Sequence, residues 1–386
     1  MECGASSRQR VAVIASLGMS LTNFRLELLR RMVDLGHEVR AFAPDITPET
    51  ARELQSIGVS HHEIPMSRAG INPREDMTTL RVLTDELRSF RPDVVLPYTM
   101  KPIIYGNIAA RRAGVKRRYA LFTGLGYAFS EEAPTGKRAL VRFLAIWLYR
   151  RALKNLDLGF VYNPVEEADI RRFGLVPPDV ALLQVPGSGV DLSRYENCPQ
   201  PDGPVRFLMI ARLLKSKGID IYVEAARILR DRGIMAEVTL LGPLDANPDS
   251  YRPCDVEAWQ AENILTYLGA TDDVRPFIKA ASVIVLPAIH REGMPRTVLE
   301  GMSMGRAVIT TDVPGCAHSI IDGEDGFIVP AGDAVALADA MQRLATEQGL
   351  AAAMGTSGRQ RAEQVFDVHI VNKTLLTAMG LEGTAP

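Results

Sequence analysis

Short apolar runs alternate with amphipathic segments along nearly the whole chain, and they do so in two series. The first series is RVAVIAS from Arg10, HEVRAFAP, DVVLPYT, RRYALFT and DLGFVYN, separated by segments such as NFRLELLRRMVDLG. After Val190 the pattern restarts with VRFLMIAR, AEVTLLG, NILTYLG, ASVIVLPA, RAVITTD and DGFIVP. Strand–helix alternation of this kind predicts the α/β class, with two doubly wound parallel sheets. At 386 residues the chain is too long for one ordinary core and fits two domains of about 150 to 200 residues each. The turn-rich stretch from Pro186 to Pro204 marks the seam. We expect a first domain over 1–190 and a second over 191–366, with a terminal helix at 367–386 packing back on the first. Open α/β sheets bind ligands at the carboxyl ends of their strands, so the expected site is a cleft between two facing sheets.

Bulk properties exclude several classes. Hydrophobic residues make up 47% and charged residues 23%, a globular balance. No apolar run approaches the ~18 residues that span a bilayer, and MECGASSRQR lacks the apolar core of a signal peptide. The expectation is an intracellular protein. Cys3, Cys198, Cys254 and Cys316 are scattered without CxxC spacing, which suits a reducing compartment and gives no metal signal. The net charge of −2 hides an asymmetry, because residues 1–190 carry 26 Lys+Arg against 20 Asp+Glu. Between Lys101 and Lys154, 12 basic residues meet only Glu131 and Glu132. An anionic partner is implied, which a membrane surface, a diphosphate or a nucleic acid would each supply.

The chemistry concentrates in HREGMPRTVLEG, from His290 to Gly301. ASVIVLPA before it is a buried strand, Pro295 suits the first helical position, and the amides of Arg296, Thr297 and Val298 would form an anion site. Glu292 precedes that helix start and Glu300 lies in its second turn. Carboxylates accept pairs of hydrogen bonds from vicinal hydroxyls, as a sugar or ribose presents. A second anion feature is IARLLKSKGID, where Arg212 and Lys217 follow another strand and together neutralise a diphosphate. Alone, each glutamate is an ordinary helix-start or surface charge and RLLKSKG an ordinary basic loop. Asp272-Asp273 reads as a helix cap, His61, His62 and His318 lack metal-ligand spacing, and GLGYAF lacks the third glycine of a dinucleotide fingerprint. From Gly136 to Leu156, Lys137, Arg138, Arg142, Arg150, Arg151 and Lys154 accompany Phe143, Leu144, Trp147, Leu148 and Tyr149 without an acidic residue. This is a peripheral-membrane signature, with a core helix bearing a basic face as the competing reading.

Arg212-Leu213 with Lys217-Gly218, the pair Glu292 and Glu300, and MGRAVITTDVPG with DGFIVP resemble the retaining, nucleotide-sugar-dependent glycosyltransferases of family 4. The resemblance runs from about Val11 to Asp367. RAGINPRED, RPDVVLPYTMKPIIYGNIAARRAGV, FTGLGY and GSGVD are similar to the branch that extends lipid-linked glycans, including capsule enzymes and the N-acetylgalactosaminyltransferase of bacterial protein glycosylation. The resemblance implies a GT-B fold, two Rossmann-like domains facing across a cleft. It implies that Arg212 and Lys217 bind the donor diphosphate, Glu300 holds the ribose, and Glu292 with the amides of Gly293 and Met294 contacts the donor sugar. Thr297 and Val298 would donate amides to the phosphates, Ala270 to Val274 would lie near the base, and Gly242 would line the pocket. In the first domain the loop Gly18 to Asn23, with Lys101, Thr123 and Gly124, would face donor and acceptor. Many relatives carry a His where this chain has Thr123, so any role needing an imidazole is missing.

The implied reaction is a front-face transfer in which the departing phosphate takes the acceptor's proton, without a protein base, a metal or another cofactor. The implied partners are a UDP-sugar, with N-acetylgalactosamine the first choice, and a polyprenyl-diphosphate-linked acceptor at the inner face of the cytoplasmic membrane, with no nucleic acid. A nucleotide-sugar epimerase and a non-catalytic nucleotide-sugar binder share these features. The missing glycine fingerprint after the first strand argues against a dinucleotide dehydrogenase.

Overall fold

A computed structural model of the chain describes residues 8–67, 72–126, 129, 135–245, 247 and 249–383, with the backbone alone at Lys137. The chain divides into two compact units, residues 1–188 with 368–386, and residues 189–367. Each is built on a wholly parallel sheet.

In the first unit β1 (Arg10–Ile14), β2 (Glu38–Ala43), β3 (Ser60–Glu63), β4 (Val94–Pro97), β5 (Arg117–Leu121), β6 (Leu158–Val161) and β7 (Ala181–Gln184) lie in the order β3-β2-β1-β4-β5-β6-β7. The central strands are buried beyond the first residues of β1 and β5, Arg10 and Arg117, as expected of a parallel sheet covered by helices on both faces. Register runs from Val11 opposite Val39 on one side to Val11 opposite Val94 on the other. The order reverses between β1 and β4, the switch point where such sheets hold ligands. There Thr99, just past β4, takes a left-handed φ of 70° and donates its hydroxyl to Ser16 at 2.8 Å. A π-helical turn, Pro102–Gly106, follows. The edge strands β3 and β7 have no counterpart in the apolar runs of the sequence. SHHE and ALLQ are exposed at their ends and half-buried between, and sheet pairing fixes them.

The second unit orders β8 (Arg206–Ile210), β9 (Glu237–Leu241), β10 (Thr266–Tyr267), β11 (Val283–Leu286), β12 (Ala307–Thr311) and β13 (Gly326–Val329) as β10-β9-β8-β11-β12-β13. Its switch point falls between β8 and β11. The helix Arg296–Ser303 presses on the sheet at Gly301, where a Cβ would sit 2.5 Å from Ile284 Cγ1. Parallel strands send every connection after β8, β9, β11 and β12 to one edge.

The terminal helix Val368–Ala378 packs against the helix Met19–Asp34 in the first unit, and Leu375, Leu376 and Leu381 are fully buried there. Arg117 donates to the Met379 carbonyl at 3.0 Å, and His37 Nε2 lies 2.7 Å from that of Leu381. Leu376→Ala should therefore destabilise the first unit by about 2 to 5 kcal/mol, read by urea unfolding. A cost below about 1 kcal/mol would show that this tail is not part of that core.

Candidate active site

The carboxyl edge of the second sheet gathers the charged residues singled out in the sequence. Gly218 ends the Lys215–Lys217 turn at φ 73°, where a Cβ would stand 1.9 Å from the Pro287 carbonyl oxygen. Only glycine lets this backbone meet the segment after β11. Ile289 N donates to the Ser216 carbonyl at 3.0 Å, and Glu292 N to that of Pro314 at 3.0 Å, so the loops after β8, β11 and β12 are stitched together. Through this stitching Lys217 Nζ reaches Glu292 Oε1 at 2.5 Å, each side chain 20% exposed. Cys316 lies close by, its thiol pushed up to about 12 by burial and therefore neutral.

Glu300 is buried, 6% exposed, and accepts from Arg296 Nε at 2.8 Å one helical turn away. The Tyr195 hydroxyl, pushed up to about 12 first by burial and then by the Glu300 charge, stays protonated beside it. Tyr195 is a site residue that sequence reasoning missed, because it sits in the turn-rich seam. Arg212 Nη1 meets Asp245 Oδ2 at 2.8 Å, and Asp245 also lacked a sequence signal. Each of the three cations has a carboxylate partner.

The helix itself begins at Arg296, with Pro295 as its cap rather than its first residue. Val298, fully buried, spends its amide on the Pro295 carbonyl at 3.2 Å, while Thr297 is half-buried at the second helical position. Gly293 and Met294 are half-buried in the loop before it. Gly242 is buried against Ala211, where a Cβ would lie 1.8 Å from the carbonyl oxygen, and donates to the Gly269 carbonyl at 2.8 Å. Beyond that, Ala270 is exposed and Val274 caps the helix Arg275–Ala280. The expected cap at Asp272-Asp273 is therefore corrected: Asp273 lies one residue before the cap and accepts from the Arg275 amide at 3.1 Å and from its Nε at 2.8 Å. Among the described residues no group of three or more His, Cys, Asp or Glu is placed to hold a metal ion.

In the first unit Gly18 is buried and caps the helix Met19–Asp34. The expected loop from Gly18 to Asn23 is therefore corrected: Asn23 is exposed on that helix, whose inward face starts at Ser20 and Leu21. Lys101 Nζ is held by Asp76 Oδ1 at 2.9 Å, with side chains 13% and 11% exposed. Thr123 and Gly124 are half-buried after β5, and the Gly124 amide donates to Glu166 Oε1 at 2.6 Å. Burial pushes the Glu166 carboxyl above the usual range, although two backbone amides oppose the shift. Arg25, 2% exposed, donates to the Tyr162 hydroxyl, while its Nε and Nη1 have no partner among the described residues. Tyr127 of FTGLGY and residues 68–71 of RAGINPRED lie outside the described residues.

The basic helix Gly136–Ala152 buries Ala145, Tyr149 and Ala152 and exposes Leu140, Phe143, Leu144 and Trp147, spaced i, i+3, i+4 and i+7. Arg138 is exposed, and Arg151 is exposed over the Trp147 ring at 6.0 Å. Arg142 instead lies 5.4 Å from the Phe173 ring centre, and Arg150 donates to the Gly174 and Phe173 carbonyls at 3.0 and 2.9 Å. These two fasten the helix to its neighbours. The side chain of Lys137 lies outside the described residues. No described helix is long and apolar enough to cross a membrane.

Comparison with known proteins accounts for both halves. Residues 22–186 match the Glycosyl transferase 4-like domain, and residues 204–347 match Glycosyl transferases group 1. The chain belongs to this glycosyltransferase family and has its GT-B fold. It is 26% identical over 381 residues to the N,N'-diacetylbacillosaminyl-diphospho-undecaprenol alpha-1,3-N-acetylgalactosaminyltransferase of Campylobacter jejuni, covering 95% of this chain and 97% of that one. It is also 26% identical over 302 residues to the UDP-Gal:alpha-D-GlcNAc-diphosphoundecaprenol alpha-1,3-galactosyltransferase of Escherichia coli, covering 74% and 75%. Sucrose-phosphate synthase from Thermosynechococcus elongatus superposes with a TM-score of 0.79 at 20% identity, covering 96% of this chain and 98% of that one.

The Arg212–Asp245 pair makes a measurable prediction. An exposed pair is worth about 0.2 to 1 kcal/mol, so Asp245→Asn should free Arg212 and tighten nucleoside diphosphate binding up to about fivefold in calorimetry. Weaker binding would mean that Asp245 itself holds the ligand.

Proposed function

We propose that this glycosyltransferase moves an N-acetylhexosamine, N-acetylgalactosamine first, from a UDP-sugar to an undecaprenyl-diphosphate-linked saccharide with retention of configuration. The observation that carries the reading is the convergence of Lys217–Glu292 and Arg296–Glu300 on one sheet edge, with Arg212 on the neighbouring strand end. The Campylobacter jejuni and Escherichia coli relatives, whose names specify diphospho-undecaprenol acceptors, support the acceptor class. Lys217 and Arg212 would exchange their carboxylates for the donor's phosphates. Glu292, released from Lys217, would accept from the donor sugar's hydroxyls, and Glu300 from the ribose. The bond from the anomeric carbon to the phosphate oxygen breaks as the acceptor oxygen attacks from the same face. The acceptor proton passes to the departing phosphate, whose charge Arg212 and Lys217 neutralise. These groups supply the positive charge that a divalent cation supplies elsewhere, so the reaction is proposed to need no metal.

Glu300→Ala should lower kcat/KM at least ~100-fold, the scale of two hydrogen bonds to a charged group. The assay is release of UDP from a panel of UDP-sugars with synthetic polyprenyl-diphosphate saccharides. Intact transfer by this variant would sink the site assignment, and conversion of the donor sugar without acceptor would favour an epimerase.

We further propose that the Gly136–Ala152 helix rests on the inner face of the cytoplasmic membrane. Its apolar side chains Leu140, Phe143, Leu144 and Trp147 are exposed, and Arg138 and Arg151 flank them in the sequence. A large apolar side chain gains about 1.5 to 3 kcal/mol on full burial, and a cation near an anionic surface about 1 kcal/mol. The double variant Phe143→Asp/Trp147→Asp should bind anionic vesicles at least tenfold more weakly while keeping its activity on a short-chain soluble acceptor. Unchanged sedimentation with vesicles would remove this helix as the anchor.

A further inference from the structure

We infer that Glu166 is a positioning residue for sugar transfer, its buried carboxylate fixing the Thr123-Gly124 loop through the Gly124 amide. The inference rests on the transferase reading above. Asn163 caps the helix Pro164–Arg172 and accepts from the Glu166 amide at 2.8 Å. A glutamate at this third helical position ordinarily reaches back only to the cap. Here Glu166 Oε2 takes the Tyr162 amide at 2.9 Å, while Oε1 crosses to another strand end and takes Gly124 N at 2.6 Å. The side chain is 6% exposed.

The loop needs such a tie. The β5 ladder ends with Phe122 N donating to the Phe160 carbonyl at 2.9 Å, and Gly124 then turns to φ 106°, a region side chains rarely adopt. Two amides converging on one group require a carboxylate, since a neutral amide would turn its own NH2 toward one of them. Helix capping is already served by the neutral Asn163, so the cost of burying a carboxylate here is explained by the loop it holds.

The same short segment reaches further. The Tyr162 hydroxyl accepts from Arg25, on the helix after β1. The Arg25 guanidinium lies 5.3 Å from the centre of the Tyr98 ring, at the end of β4, and the Tyr98 hydroxyl meets Ser20 Oγ at 2.7 Å. Tyr162 to Glu166 thus joins the segments that follow β1, β4 and β5 along one sheet edge.

The test compares full-length wild type, Glu166→Gln and Asn163→Ala by three readouts. These are amide hydrogen exchange over residues 122–126, UDP affinity, and kcat and KM in the transfer assay. Glu166→Gln should raise exchange at the loop at least tenfold and lower kcat at least tenfold, with UDP affinity within twofold and donor KM within threefold. Asn163→Ala should lower the melting temperature and leave kcat within twofold. Unchanged loop exchange in Glu166→Gln, or kcat within twofold of wild type, overturns the inference. So does an equal kcat loss in Asn163→Ala, which would reduce Glu166 to helix stability. A wild type that transfers to no acceptor sinks the transferase reading instead, and loop exchange alone then decides whether Glu166 holds Gly124.

Discussion

The Lys217–Glu292 ion pair is the contact around which the second unit's ligand edge is organised. It closes only because Gly218 lets the turn after β8 touch the Pro287 carbonyl and because Ile289 is hydrogen-bonded to Ser216. A parallel sheet brings strand ends to one edge but does not fix the distances between loops. Those two backbone contacts do. With Arg212 on Asp245 and Arg296 on Glu300, the resting edge carries its charges in matched pairs. On the proposed reading, an incoming diphosphate would compete with carboxylates rather than meet bare cations. The half-exposed Arg212 pair is cheap to open, whereas Glu300 at 6% exposure would be costly to leave alone.

The first unit solves a different problem. Its first cation after β4 is not waiting either, since Lys101 is held by Asp76 within a largely buried pair. The unusual elements are backbone ones: Thr99 at φ 70°, a π-helical turn after it, and Gly124 at φ 106°. Such conformations persist where surrounding contacts over-determine them. Glu166 and Ser16 supply those contacts, at Gly124 and Thr99 respectively.

How much of this the sequence displayed depends on range. Buried parallel strands are apolar runs, so VRFLMIAR and ASVIVLPA announce β8 and β11 directly. SHHE does not, being polar throughout, and ALLQ is only a short apolar stretch; each of these two edge strands is fixed by pairing with one neighbour. The pair Glu292 and Glu300 was legible through Pro295 and the helix pattern. The groups around them were split: Lys217, the partner of Glu292, lay in a recognisable turn, while Tyr195 beside Glu300 and Asp245 against Arg212 arrive from segments that look like plain loops. Glu166 was invisible for the same reason, since 42 residues separate it from Gly124 and neither position has a local pattern to betray the bond.

The Gly136–Ala152 helix shows what periodicity settles and what it leaves open. Its composition marks a basic amphipathic helix, yet charge alone does not say which face looks outward. The fold differentiates the arginines: Arg142 lies against Phe173 and Arg150 donates to the Phe173 and Gly174 carbonyls, while Arg138 and Arg151 are exposed on the helix that carries Leu140, Phe143, Leu144 and Trp147. Among the described residues, the exposed side of this helix is thus more apolar than a count of its charges suggests. An attachment through it would draw more on burial of those four side chains than on attraction to anionic lipid, and would persist at salt concentrations that screen a purely electrostatic one.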